Sequence, residues 1–236
     1  MGSGAYPGKA ASTYFTNFSV PPCSTHIPQI LDLMGYDTPS VWNKINIHVG
    51  GSYGDKQATM ERWAAAYNRL TPSCRLRMTV ENDDRPNSYS VRDLLELHRL
   101  CGVPIVFDFH HWKFCEAVHA DPGTHHPCPN FATSGDMTQE EALRAAIATW
   151  PKGIRPVVHW SESQEGRIPH AHSDYIKGPM NLYGLEAEVD VMIEAKAKER
   201  SLLCFRDGLP IPAVDIPSED PGVGRKAAAA APFLDD

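Results

Sequence analysis

Apolar positions along this chain fall into two alternating kinds of segment. Short runs with the length and β-branched content of buried strands each end on a polar side chain that metals favour. "KINIHVGG" passes through Ile45 and Ile47 to His48, and "LRMTVENDD" passes through Leu76, Met78 and Val80 to Glu81. "GVPIVFDFHHW" carries Val103 to Phe107 and stops on Asp108, with His110 and His111 just beyond. "IRPVVHWSES" reaches His159 by way of Val157 and Val158, and "EVDVMIEAK" reaches Glu194 through Val189, Val191, Met192 and Ile193.

Helical periods lie between these runs. "DKQATMERWAAAYNRL" (55–70) puts Met60, Trp63, Ala64 and Tyr67 on one face, and "SVRDLLELHRLCG" (90–102) does so with Val91, Leu94, Leu95 and Leu97. Ser90 is placed to cap the second helix and Gly102 to end it. In "TQEEALRAAIATW" (138–150), Thr138 is the N-cap and Glu141 its capping-box acid. Strands alternating with helices predict an α/β protein built from βαβ units around a parallel sheet. A polar ligand at the end of each buried strand is where a TIM-type (β/α) barrel keeps its active site.

Composition narrows the class without changing that picture. At 236 residues, with 42% hydrophobic and 22% charged side chains, the chain is long enough for a substantial core. No apolar stretch approaches the roughly 20 residues of a membrane span, and no signal segment opens the sequence, so no membrane partner is expected. Six scattered cysteines suit reduced thiols in an intracellular compartment. A net charge of −7 argues against wrapping nucleic acid by charge alone, although bound cations would reverse the local potential. Residues 1–29, rich in Gly, Pro, Ser and Thr, are expected to be irregular or disordered. Residues 30–215 would form the barrel domain, and 216–236, with "GVGRKAAAAAPFLDD", a low-complexity tail.

Each strand-end residue taken alone has a plainer use. A lone His after an apolar run is more often a hydrogen-bonded core or loop residue, and an Asp or Glu there is often a helix cap. The same point of five strands bearing such a residue is hard to explain by caps, so a joint metal site on one rim is the preferred reading. Its mixed nitrogen and oxygen donors suit Mn, Zn or Fe and not a thiolate site. A rival cluster, Cys115, His119, His125, His126 and Cys128, matches no common zinc module and lies in a Pro/Gly-rich segment. The glycines of "HVGGSYGDK" follow neither the Rossmann nor the Walker spacing.

Six segments, "HVGGSYGDK", "VENDDRPNSYSVRDLL", "GVPIVFDFHHW", "ATWPKGIRPVVHWSES", "HAHSDYI" and "DVMIEAKAKE", resemble in order the signature segments of the UV damage endonucleases, over roughly residues 30 to 205. The resemblance implies a TIM barrel holding up to three divalent cations, usually manganese, at its C-terminal rim. It places His48, Glu81, Asp108, His111, His159, His172 and Glu194 on metal positions. Of these, Glu81, Asp108, His111, His159 and Glu194 would be the catalytic cluster, and Lys56 and Lys196 would support substrate binding. The implied reaction is metal-assisted phosphodiester hydrolysis in UV-damaged double-stranded DNA, nicking 5′ of cyclobutane dimers and 6-4 photoproducts to start excision repair. Lesion choice would follow from the lower cost of extruding bases whose stacking is already disturbed. Phosphate contacts would position the duplex without reading sequence. The compartment would be nuclear or mitochondrial in a eukaryote and cytoplasmic in a bacterium.

The sequence departs from the family in two places. Val157 stands where the family carries a lysine of the metal cluster, and residues 1–29 offer no strand in place of the family's first three strand–helix units. An incomplete barrel of about five of eight units is therefore expected, with two unpaired sheet edges and self-association as the consequence. The alternative readings are a related metal-dependent barrel enzyme, either an apurinic endonuclease or a sugar isomerase, and a truncated, inactive relative.

Overall fold

The computed structural model describes residues 23–38, 40, 43–85, 87–115 and 137–211. In chain order the elements are α1 (Cys23–Leu33), β1 (Ile45–Ile47), α2 (Lys56–Asn68), α3 (Pro72–Arg77), β2 (Met78–Glu81) and α4 (Val91–Cys101). They continue with β3 (Ile105–Asp108), α5 (Phe109–Cys115), α6 (Gln139–Ala148), β4 (Val157–Trp160), β5 (Asp190–Ile193) and α7 (Glu199–Asp207). The five strands form one sheet in the order β1-β2-β3-β4-β5, and every neighbouring pair is parallel. The sheet curls as part of a TIM-type barrel, with β1 and β5 as its outer strands among the described residues.

Alternation along the strands separates core from chemistry. Met78, Val80, Ile105, Phe107 and Val158 face the helices and join Met60, Trp63, Leu94, Leu97 and Leu143 in one buried cluster. The opposite face carries Asn46, Thr79, Glu81, Asp108 and His159, and the register sets Asp108 beside His159 and His159 beside Met192. Met192 lies on this inner side of β5 and is 53% exposed, as expected where a barrel wall ends.

The predicted helices form with the predicted ends. Asp55 caps α2 by accepting from Ala58 N–H, and the Ser90 and Thr138 capping boxes close with Asp93 and Glu141. Gly102 ends α4 at φ 76°, a left-handed conformation that costs a glycine nothing.

Other expectations need correction. Residues 23–29, read as irregular, lie inside α1, which continues through Pro28. The helix is fastened from outside its own sequence: fully buried Arg77 gives Nη2 to Asp32 Oδ1 at 2.7 Å and to the Tyr36 carbonyl. The strand taken to begin near Leu76 begins at Met78. Thr71 accepts from Cys74 N–H, Pro72 starts the turn, and α3 runs to Arg77 before the chain extends. Among the rival zinc residues only Cys115 is described, and its thiol donates to the Arg85 carbonyl at 3.2 Å. His119, His125, His126, Cys128 and the 216–236 tail lie outside the described residues. No helix among the described residues is long and apolar enough to cross a membrane.

Candidate metal centre

The strand-end residues converge at the C-terminal edge of the sheet. Ligand atoms of His48, Glu81 and His111 all lie within 4.8 Å of one another, and so do those of Glu81, Asp108, His159 and Glu194. Glu81 belongs to both groups. Its Oε1 is 3.0 Å from His159 Nδ1 and 3.4 Å from His111 Nδ1, while its Oε2 is 3.9 Å from His48 Nε2.

Local structure holds these groups in place. Asn46, one strand away, donates to Glu81 Oε2 at 2.5 Å and is itself held by Thr79 Oγ1. The ladder between β2 and β3 ends at Glu81 and Val106, and Asn82 extends it by side chain. Its Oδ1 accepts from Asp108 N–H at 2.9 Å, and its Nδ2 donates to the Asp108 carbonyl at 3.0 Å. His111 Nδ1 meets the Asn82 carbonyl at 2.9 Å, a bond that leaves Nε2 as the lone-pair nitrogen of that ring. Asp108 serves two ends. Its Oδ1 accepts from His111 N–H at 2.7 Å and starts α5, while its buried Oδ2 has no hydrogen-bond partner.

Three carboxylates, Glu81, Asp108 and Glu194, crowd this volume, and the charges show how the chain compensates. Burial pushes the Asp108 carboxyl above its usual range; the field of His111 opposes this, and Glu81 adds to it. Glu81 is also penalised by burial, but the hydrogen bond and charge of His159 outweigh that and hold it well below the usual range. His159 responds in the opposite direction. Burial lowers it, yet its bonds to Glu194 and Glu81 raise it to about 10. His48 is raised to about 9 against its own burial, by Asp83 at 3.0 Å and by the fields of Glu81 and Asp108. Protons on His48, His159 and Asp108 are thus the positive charge that this cluster draws in. A divalent cation can replace them, and mixed imidazole and carboxylate donors suit one. The orphaned Asp108 Oδ2 is the atom that most plainly lacks a partner without it.

Five strand-end residues and His111 are therefore brought together as the sequence predicts. His172 stands next to them, with Nδ1 3.6 Å from Glu194 Oε2, outside both groups. Lys56 donates to Asp93 Oδ2 at 2.7 Å and lies 5.8 Å over the Tyr89 ring, bridging α2 and α4. Lys196 is exposed just after β5, and its charge is felt by His172. Val157 lies on β4 two residues before His159, so it shares that residue's face of the strand. Asn46, Asn82 and Asp83 escaped the sequence reading, although "ENDD" contained two of them.

Comparison with known proteins identifies the architecture. A family model described as UV-endonuclease UvdE matches residues 14–218. The UV DNA damage endonuclease of Bacillus velezensis is 35% identical over 181 residues, covering 74% of this chain and 50% of its own length. The UV-damage endonuclease of Neurospora crassa is 35% identical over 159 residues, 66% of this chain and 22% of its own. The crystal structure of SacUVDE superposes with a TM-score of 0.57 at 26% identity, over 79% of this chain and 58% of that one. The chain thus spans about half the length of the bacterial relative and less of the fungal one. With the family model matched over residues 14–218 of its 236, this chain belongs to the UV-endonuclease UvdE family.

Proposed function

We propose that this chain carries the metal-binding part of a DNA-repair endonuclease that nicks duplex DNA 5′ of UV photoproducts. The observation that supports it best is Glu81, one carboxylate common to two donor groups, as a site for neighbouring ions requires. His48, Glu81 and His111 would hold one divalent ion, and Glu81, Asp108, His159 and Glu194 a second, with manganese the expected metal. His172 would add a nitrogen donor beside Glu194. Such ions supply a water deprotonated near neutral pH and charge to balance the leaving oxygen. The chain's own residues do the rest. Asn46 and Asn82 fix the positions of Glu81 and Asp108, and His159 Nδ1 draws Glu81 and Glu194 together at 3.0 and 3.1 Å. Exposed Lys196 would meet a phosphate at the rim, a contact that positions DNA without reading its sequence. Lys56, committed to Asp93, would act on DNA only at the expense of that pair.

The matched region is only about half of the bacterial relative, so this chain by itself is expected to cut poorly. The test is incision, with manganese, of a duplex holding one thymine dimer and of a duplex holding one abasic site. The chain would be compared with a chimera bearing the family's first three strand–helix units. Cutting beside the dimer by the chimera, abolished by Glu81→Gln, is the expected result. Cutting only at the abasic site would favour the apurinic-endonuclease reading.

A further inference from the structure

One imidazole outside both donor groups joins three of the loops at this rim. His170 lies in the loop after β4, and its Nδ1 meets Asp84 Oδ2, in the loop after β2, at 3.0 Å. Its ring stacks on Phe114 of α5, the element after β3, with centroids 4.1 Å apart and planes at 29°. Phe114 in turn packs edge-on against His110 at 4.9 Å, and fully buried His110 packs edge-on against His172 at 5.0 Å. His172 closes the chain of contacts onto Glu194 at the end of β5. Side chains following four consecutive strands are thus linked in one chain of contacts, with His170 joining its first two members.

A hydrogen bond and a stack together constrain a ring more fully than either does alone, because one fixes its edge and the other its plane. The backbone around His172 is held by main-chain bonds, Gln164 N–H to the Ala171 carbonyl and Ser173 N–H to the Glu162 carbonyl, both at 2.7 Å, so what the ring contacts can set is the direction of the His172 side chain. We propose that His170 is a positioning residue: held by Asp84 and Phe114, it acts through Phe114 and His110 to set the His172 ring toward Glu194 and the metal cluster. Rings that hold or orient metal ligands from the outside commonly change metal affinity by about 10- to 100-fold when they are removed. The inference rests on the metal reading given above and adds a residue that touches no ion.

The experiment titrates the chain with Mn2+ and follows the free ion by electron paramagnetic resonance. Melting in EDTA is recorded alongside. His170→Ala and Asp84→Ala should each weaken the His172-side ion by about 10- to 100-fold. The double substitution should be no worse than His170→Ala alone, because that change already removes the Asp84 link. His170→Asn, which keeps a donor for Asp84, should recover part of the affinity. Asp84→Asn keeps the shape and carries the same comparison if either alanine variant fails to fold. A lower melting point in EDTA with unchanged Mn2+ affinity would show the clasp to be structural only and overturn the proposal. So would losses that add in the double substitution. No Mn2+ binding by the unaltered chain would instead remove the metal reading and this inference with it.

Discussion

Glu81→Gln removes one negative charge and keeps the shape of the side chain, so it isolates what the shared carboxylate does for metal binding. Glu81 is one of three donors in one group and one of four in the other, so its loss weakens both. If free Mn2+ stands at a hundred times its Kd, binding stabilises the folded chain by about 2.7 kcal/mol. For a domain of this size each kcal/mol moves the melting point by about 2–4 °C, which gives a rise of about 5–11 °C over EDTA. Loss of a direct ligand should weaken binding at least as much as the roughly 100-fold upper range for outer partners. At the same Mn2+ the variant then sits near its Kd, where the gain is about 0.4 kcal/mol and the rise about 1–2 °C. Scanning calorimetry of both proteins, each with and without Mn2+, measures the difference directly. Comparing the metal-induced shifts cancels whatever the substitution does to the metal-free fold. A variant that keeps the full shift would refute the bridging role, and equal melting of the unaltered chain in EDTA and Mn2+ would refute the site.

Three more outcomes follow from the same geometry. Without metal, His48 and His159, raised to about 9 and about 10 from 6.5, add stability that is complete below pH 6.5 and lost as pH rises through those values. Melting in EDTA should therefore fall between pH 6.5 and 10, and Mn2+ should reduce the fall by displacing the protons; a flat EDTA profile would contradict the imidazolium pairing. Asp93→Ala removes the α4 capping box and leaves the mostly buried Lys56 ammonium unpaired, at a cost of about 1–3 kcal/mol by urea unfolding. A cost below about 0.5 kcal/mol would show that pair to be idle and return Lys56 to substrate binding. Sedimentation velocity over a concentration series should show self-association, because β1 and β5 are outer strands and Met192, Ile30 and Leu33 are exposed. A single monomeric species throughout would contradict it.

The strands were legible because short apolar, largely β-branched runs alternate with helical periods, and each ends at an imidazole or a carboxylate. Helices α2, α4 and α6 were legible from their apolar faces, with the Ser90 and Thr138 caps read down to the Thr138–Glu141 box. α5 was not. "FHHWKFC" has no Ser or Thr before it, and its cap is Asp108, the residue that also serves the cluster. Here one oxygen of a strand-end acid caps the helix, and the other, without a hydrogen-bond partner, lies in the cluster. α1 escaped because Pro28 signals a break, and Arg77, a distant residue, supplies the anchor. Asn46 shows the limit for the site itself. Between two isoleucines it reads as an ordinary strand residue, and only the alignment of β1 with β2 puts it against Glu81. Asp84 and His170 lie 86 positions apart, beyond the reach of any local pattern.

The most direct test of the shared-carboxylate centre is an anomalous difference map from crystals of this chain grown with Mn2+. Two peaks are expected, both within coordination distance of Glu81: one shared with His48 and His111, the other with Asp108, His159 and Glu194. Peaks elsewhere, or none against Glu81 at saturating Mn2+, would contradict the account.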